Sequence, residues 1–343
     1  MSSHPNARFW RVLLIGFILT LIGIYASITN GAFDISVKDI IKTLLRIDPD
    51  SNYDLVIFEF RLPRIIIGIV VGFGIGLAGA VLQGVVRNPL ADPGILGINA
   101  GAGASVVLFM FFFSGQIQGA DWLSVMLMPL FGWVGGIIAV LLIFIFAWER
   151  GTIDPQRFIL VGIAISAGLS ALTLYVSLKM NPQDFEMATV WLTGSIYSAN
   201  WMYVVTALPW ILVLTPIIYY KSKVLDLFQL HEMSVTGLGV SVNKERMLLL
   251  LCSVGIISAC ISVSGSISSL GLIAPHLARR LVGLKHLHVL PVSGLIGVCM
   301  VVIGDLIGKT VFSPAELPVG IVISIIGVPY FIFLMFKSRK ERI

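Results

Sequence analysis

Several residue groups carry the types and spacing of known chemistry, and each lacks the setting that chemistry needs. Gly74, Gly76 and Gly79 reproduce the G-x-G-x-x-G spacing of a dinucleotide-binding turn, in which glycines let the backbone approach a pyrophosphate. They lie inside an apolar run with no strand before them and no acidic residue at the ribose distance. Gly304, Gly308, Lys309 and Thr310 resemble the end of a phosphate-binding loop, but the glycines are one residue too close. The chain is therefore not expected to bind ATP itself. His286 and His288 are spaced as potential metal ligands, yet in a basic loop they are expected to be solvated. Cys252, Cys260 and Cys299 fall inside apolar runs without the short spacing of a zinc site, so they read as small packing residues. The sequence predicts no catalytic constellation, no metal site and no cofactor.

The elements that position these residues are set by composition. Hydrophobic residues make up 57% of the 343 and charged residues 12%, with a mean hydropathy of +0.98, whereas soluble domains are about one-quarter charged. A membrane-spanning helix needs about 20 apolar residues. Such runs recur at Phe9 to Ile28, Ile65 to Val86, Ile95 to Phe113, Leu123 to Trp148 and Phe158 to Leu178. The second half adds Trp201 to Tyr220, Met247 to Val263, the short Ile267 to Leu281, Val289 to Ile307 and Val319 to Phe336. The first run is long, lacks a small-residue cleavage pattern and is followed by further spans, so it reads as a retained helix rather than a signal peptide. The expected fold class is an all-α polytopic membrane protein of about ten spans, with residues 1–343 as a single transmembrane domain.

Orientation follows from the basic residues, which are retained on the cytoplasmic side of spans. Most of the 23 Lys and Arg, among them Arg87, Arg150, Arg157, Lys221, Lys223, Lys285 and Arg342, fall on one set of alternating loops. The opposite set holds most of the acids, including Asp34, Asp48, Asp50 and Asp54. Both termini and the loop 221–246 are thus expected in the cytoplasm, and the loop 30–60 outside. The net charge of +5 reflects this asymmetry, so nucleic acid is not an expected partner and the lipid bilayer is. Within the outer loop, the stretch ISVKDIIKTLLRI spaces its apolar residues as a short surface helix does. Asn181 to Asn200, with Trp191, suits a helix at the interface.

Gly68, Gly72, Gly76 and Gly79 place small residues on one face of the second span, where helices can approach closely. Pro89, Pro93 and Gly94 break the chain after that span, and Pro275 is expected to interrupt the eighth; such breaks are tolerated at membrane depth only where protein or a water-filled cavity satisfies the backbone. Ionisable groups within spans are sparse. Asp305 is the main one, expected near an outer end where hydration or Lys309 one turn later accommodates it. A stand-alone secondary transporter, the alternative reading, usually carries intramembrane charge, and its scarcity disfavours that reading.

Four stretches carry a resemblance: RLPR at Arg61 to Arg64, GAVLQGVVRNPLADPGILGINAGA at Gly79 to Ala102, GLIAPHLAR at Gly271 to Arg279 and AELPVGIVISIIGVPYF at Ala315 to Phe331. With them the chain resembles the FecCD-type permeases, membrane subunits of ATP-binding-cassette importers for iron-siderophores, haem and cobalamin. The resemblance implies a transport subunit of the cell (cytoplasmic) membrane that is not itself an enzyme. It further implies two ATPase subunits inside, a second permease subunit, identical or paralogous, and a substrate-binding protein outside.

By the same resemblance, Arg61 and Arg64 dock acidic residues of the binding protein. The third basic position, Arg in many relatives, is Lys309 here, a point charge rather than a bidentate fork. Asn88, Pro89 and Leu90 match the turn at the cytoplasmic gate. Pro275 and His276 belong to a family signature, with structural hydrogen bonding expected for the imidazole. The segment Leu225 to Arg246 resembles the coupling element, two short helices separated by a Gly-containing turn that fit a cleft on the ATPase. Its residues His231, Glu232, Met233, Gly237 and Gly239 are the expected coupling positions. Leu225, Phe228, Met233, Val235 and Leu238 are apolar in an otherwise polar loop and need burial against something.

Overall fold

The computed structural model describes residues 5–30, 35–47, 51–94, 97–113, 122–149, 152–153, 155–313 and 315–340. Asp34, Asp48, Asp50, Arg150 and Arg342, invoked for orientation, and Ile95 and Leu96 of the second motif lie outside them. Each apolar run has a helix: α1 (Pro5–Thr29), α4 (Leu62–Val86), α5 (Ile98–Phe113), α6 (Trp122–Ala147), α7 (Pro155–Ser177), α9 (Trp201–Tyr220), α12 (Val242–Ser264), α13 (Leu270–Val282), α14 (His286–Thr310) and α15 (Val319–Lys340). Among the described residues, 7 helices are long and apolar enough to cross a membrane. Helices α5, α13 and α15 are the remaining apolar runs. Shorter helices decorate the ends: α2 (Val37–Leu44), α3 (Ser51–Asp54), α8 (Pro182–Leu192), α10 (Ser222–Leu227) and α11 (Glu232–Gly237). A two-residue antiparallel ribbon, Trp148–Glu149 with Thr152–Ile153, follows α6.

The capping chemistry explains where the short helices start. Ser36 accepts the Asp39 N–H at 3.3 Å and donates to its carboxylate at 2.6 Å, which opens α2 as the apolar spacing predicts. Asn181 accepts the Asp184 N–H at 2.9 Å with Pro182 in the first turn, opening α8. The loop read at 30–60 is helical over its last part. A helical path runs from Ser51 through a π-helical segment, Leu55–Arg61, directly into α4.

Helix α4 lies at the centre, and its glycines set how near its neighbours come. A Cβ on Gly72 would stand 2.6 Å from the Gly297 carbonyl oxygen of α14, one on Gly76 2.4 Å from the Ser293 oxygen, and one on Gly79 2.2 Å from the Gly271 oxygen of α13. Backbone therefore meets backbone along the face that the sequence marked. By contrast α1, α7 and α9 turn most of their apolar surface outward, with Leu14, Leu160 and Leu212 all exposed. In a lipid solvent such a surface needs no protein cover.

The interruption near α13 is displaced from its predicted place. Helix α13 runs through Pro275, and the break is 265–269, between Gly265 (φ +66) and Ser269 (φ +66). Its surroundings supply polar partners as a buried break requires: Ser195 N–H donates to the Ser264 carbonyl at 2.8 Å, and the Asn99 amide to Ser266 Oγ at 2.7 Å.

Candidate functional site

The predicted residues fall into three groups. At the first, the start of α4 meets the ends of α1 and α14. Arg64 forms a fork on Asp305, with Nε 3.0 Å from both carboxylate oxygens and Nη2 2.8 Å from one, and Nη2 also reaches Glu316 at 2.7 Å. Lys309 Nζ donates to the Ser27 carbonyl and hydroxyl, each at 2.8 Å. Arg61 donates to the Ile28 carbonyl and is 9% exposed. The three residues do converge, but as engaged groups rather than the open surface charges the sequence implied. Asp305 is likewise neutralised chiefly by Arg64, 241 residues away, not by hydration or Lys309 alone. A carboxylate buried at a helix end needs a bidentate partner more than a nearby point charge.

The second group is the turn after α4. Arg87 ends the helix in the left-handed region (φ 56), and Asn88 Oδ1 then accepts the Leu90 N–H at 2.9 Å, an Asx turn ahead of Pro89's constraint on the chain. Leu90 is exposed. Behind the turn, the buried Gln83 amide lies 3.2 Å from the Ala91 carbonyl and 3.4 Å from those of Gly271 and Leu272, while Arg279 donates to its oxygen. Gln83 thereby stitches the turn to α13. His276 departs from its expectation: its Nε2 is buried without a hydrogen-bond partner among the described residues, and its ring meets Tyr330 edge-on with centroids 6.2 Å apart.

The third group lies in the segment expected to couple, which forms two short helices. The glycine turn is placed differently from the expectation: residues 228–231 join α10 to α11, and Gly239 (φ +81) follows α11 on the way to α12. Gly237 is helical, so only Gly239 needs the conformation that glycine permits. The apolar residues divide. Leu225, Phe228 and Val235 are 0% exposed within this chain, whereas Met233 is 76% and Leu238 64% exposed. Glu232 pairs with the buried Arg246 of α12, and Lys221 with Glu245 at 2.6 Å. His231 takes the N-cap position of α11 without a side-chain capping bond.

His286 was expected to be solvated and is instead 3% exposed, held by Asp226 of α10. His288 stacks on Phe9 with centroids 4.5 Å apart. Neither pairing has a local sequence signal, because each partner lies on a distant element. Among the described residues no cluster of three or more His, Cys, Asp or Glu could hold a metal ion.

Comparison with known proteins gives this geometry its context. Residues 19–337 match the FecCD transport family. The iron-uptake system permease protein FeuC of Bacillus subtilis is 52% identical over 322 residues, 94% of this chain and 96% of that protein. The iron(3+)-hydroxamate import system permease protein FhuG of the same organism is 44% identical over 328 residues, 96% of this chain and 97% of its own. A solved structure of a metal-chelate type ABC transporter in an inward-facing conformation superposes with a TM-score of 0.82 at 30% identity, covering 95% of this chain and 99% of that one. These matches extend over nearly the whole length, and the chain belongs to the FecCD transport family.

Proposed function

We propose that this chain is the membrane-spanning permease subunit of an ATP-binding-cassette importer, carrying an iron-siderophore or a related metal chelate across the cytoplasmic membrane. The observation that carries the reading is the end-to-end similarity to FeuC, an iron-uptake permease by its name, at 52% identity. Two ATPase subunits would engage the cytoplasmic face, a second permease subunit would complete the path, and a binding protein would deliver the chelate from outside. The exposed Met233 and Leu238 support an ATPase contact at α11, because two large apolar side chains in a polar loop are costly to leave in water. Asn88, Pro89 and Leu90 form the cytoplasmic gate in this reading. Arg61, Arg64 and Lys309 receive the binding protein, whose carboxylates would compete with Glu316 for Arg64.

Uptake of radioactive iron, supplied as ferric trihydroxamate, ferric tris-catecholate, ferric citrate or hemin, tests the reading in proteoliposomes. Transport of at least one of them should require this chain, its co-expressed ATPase, the binding protein and internal ATP. Uptake by this chain alone, driven by a proton or sodium gradient, would overturn it.

A further inference from the structure

A cavity of about 570 Å³ lies between α5, α7 and α8 and touches the 265–269 break, a size within the range of roughly 300–1,000 Å³ for small-molecule sites. Its wall on α7 is made by Ser166, Ser170, Thr173 and Ser177. Their spacing of four, three and four residues puts all of them on one helical face, spread along about 16 Å of helix axis. That is about half the thickness of a bilayer core. Asn99, Ser266 and Ser268 add polar groups from the opposite side.

We propose that this cavity is a substrate-binding segment of the translocation path, in which uncharged hydroxyl donors receive the oxygen atoms of a metal chelate. The inference rests on the permease reading above and adds the residues that meet the cargo. Three observations carry it. Ser177 is 5% exposed, and its Oγ has no hydrogen-bond partner among the described residues although it lines the cavity. A buried hydroxyl in a helix normally bonds back to the carbonyl four residues earlier, as Thr173 does to Leu169 at 2.8 Å. Ser177 is thus a donor still seeking an acceptor.

The cavity also reaches the chain that follows α4. Asp92 and Gly94 line it, and they follow the Asn88–Pro89–Leu90 turn by only a few residues. At the break it shares Leu192, Ser266 and Ser268 with a second cavity of about 500 Å³ that Thr193 and Ser324 also line. Hydroxyls therefore continue from α7 past the break to α15. Finally, no Lys or Arg lines either cavity among the described residues. Hydroxyl hydrogen bonds hold an oxygen-rich chelate without the strong attraction of an ion pair, which suits a segment the cargo must leave.

The test uses the assembled complex in proteoliposomes, with Cys252, Cys260 and Cys299 replaced by Ser. The cargo is whichever of the four probes the unaltered complex imports. Ser177→Cys should be labelled by a small hydrophilic thiosulfonate, and excess cargo should slow that labelling. Cysteine at Lys38, exposed on α2 and not among the residues lining the cavity, should label at a rate indifferent to cargo. Ser170→Ala with Ser177→Ala should lower uptake by about tenfold, the loss expected for one or two hydrogen bonds, while copurification with the ATPase is retained. Gly168→Ala, where an added Cβ meets nothing within 4 Å, should import normally. Labelling of Ser177→Cys that cargo does not alter, or normal import by the double alanine variant, overturns the assignment. Import of none of the four probes by the unaltered complex would instead overturn the permease reading on which it rests.

Discussion

Asp226 Oδ1 serves two donors of His286 at once, accepting its backbone N–H at 2.8 Å and lying 2.7 Å from its ring Nδ1. The residues are 60 apart in sequence, and the contact fastens α10 to the first turn of α14. Leu225 and Phe228 on either side of Asp226 are fully buried. The first short helix is therefore packed into the body of the permease and held to α14.

Removing the acceptor leaves both His286 donors buried and unpaired, a loss of about 1–3 kcal/mol for such groups. Asp226→Ala should lower the thermal midpoint of the purified permease and weaken its link to the ATPase. Asp226→Asn keeps an acceptor oxygen and should lie close to the parent protein. Equal behaviour of the two variants would show that the shared oxygen carries no such role.

At the other end, Arg64 is the counter-charge of a carboxylate that is 7% exposed. Arg64→Gln should strand Asp305 and destabilise the permease by about 3–5 kcal/mol. Glu316, 32% exposed, sits where solvent screens, so Glu316→Gln should cost no more than about 1 kcal/mol. Thermal midpoints in detergent measure both. If Glu316→Gln proves the more damaging, the fork on Asp305 does not hold these helices together.

Much of this was legible locally. Runs such as Val289 to Ile307 announced their helices, and the Gly72 to Gly79 repeat announced a close face, because both depend on residues within a few turns of each other. What the sequence could not supply was the partner across the fold. Asp305 gave no hint that Arg64 rather than Lys309 would hold it, and His286 looked solvated because Asp226 is contributed by another element. The break at 265–269 was misplaced onto Pro275, which removes one backbone hydrogen bond of α13 while the Gly271 carbonyl it frees lies 3.4 Å from the Gln83 amide. The hydroxyls of α7 are spaced regularly, yet only the neighbouring α5 and α8 turn that face into a cavity.

Close approach at Gly72 makes a sharp prediction. A methyl group there meets the Gly297 backbone at 2.6 Å, and backbone cannot rotate away as a side chain can. Gly72→Ala should destabilise the permease by about 1–3 kcal/mol through forced separation of α4 and α14. Gly168→Ala should leave the midpoint unchanged. A normal midpoint for Gly72→Ala would mean that the helices do not pack by backbone contact.

Orientation is read by single cysteines in a background lacking the native three. Lys38→Cys in α2 should react with an impermeant thiol reagent in intact cells, and Ser234→Cys in α11 only after permeabilisation, following the basic-residue asymmetry. Both positions are exposed, so access depends on the side of the membrane. The reverse pattern would invert the proposed topology.

The segment proposed to couple yields the most specific expectation, because its apolar residues divide between buried and exposed positions. Val235 is buried against this chain, while Met233 on the same short helix stands 76% exposed. Covering a Met side chain contributes about 1.5–3 kcal/mol, and forcing a carboxylate into the same contact incurs a desolvation cost instead. Met233→Asp should therefore leave the permease folded, with an unchanged thermal midpoint, yet release the ATPase during purification. Val235→Asp should lower the midpoint itself. The glycines separate in the same way: Gly239 holds a positive φ with open space around it, so Gly239→Val strains the backbone without a clash and should misdirect α11. Gly237→Ala, in helical conformation with equal space, should be neutral. If Met233→Asp and Gly239→Val both copurify with the ATPase and support full uptake, α11 is ordinary surface and coupling passes through another part of the cytoplasmic face.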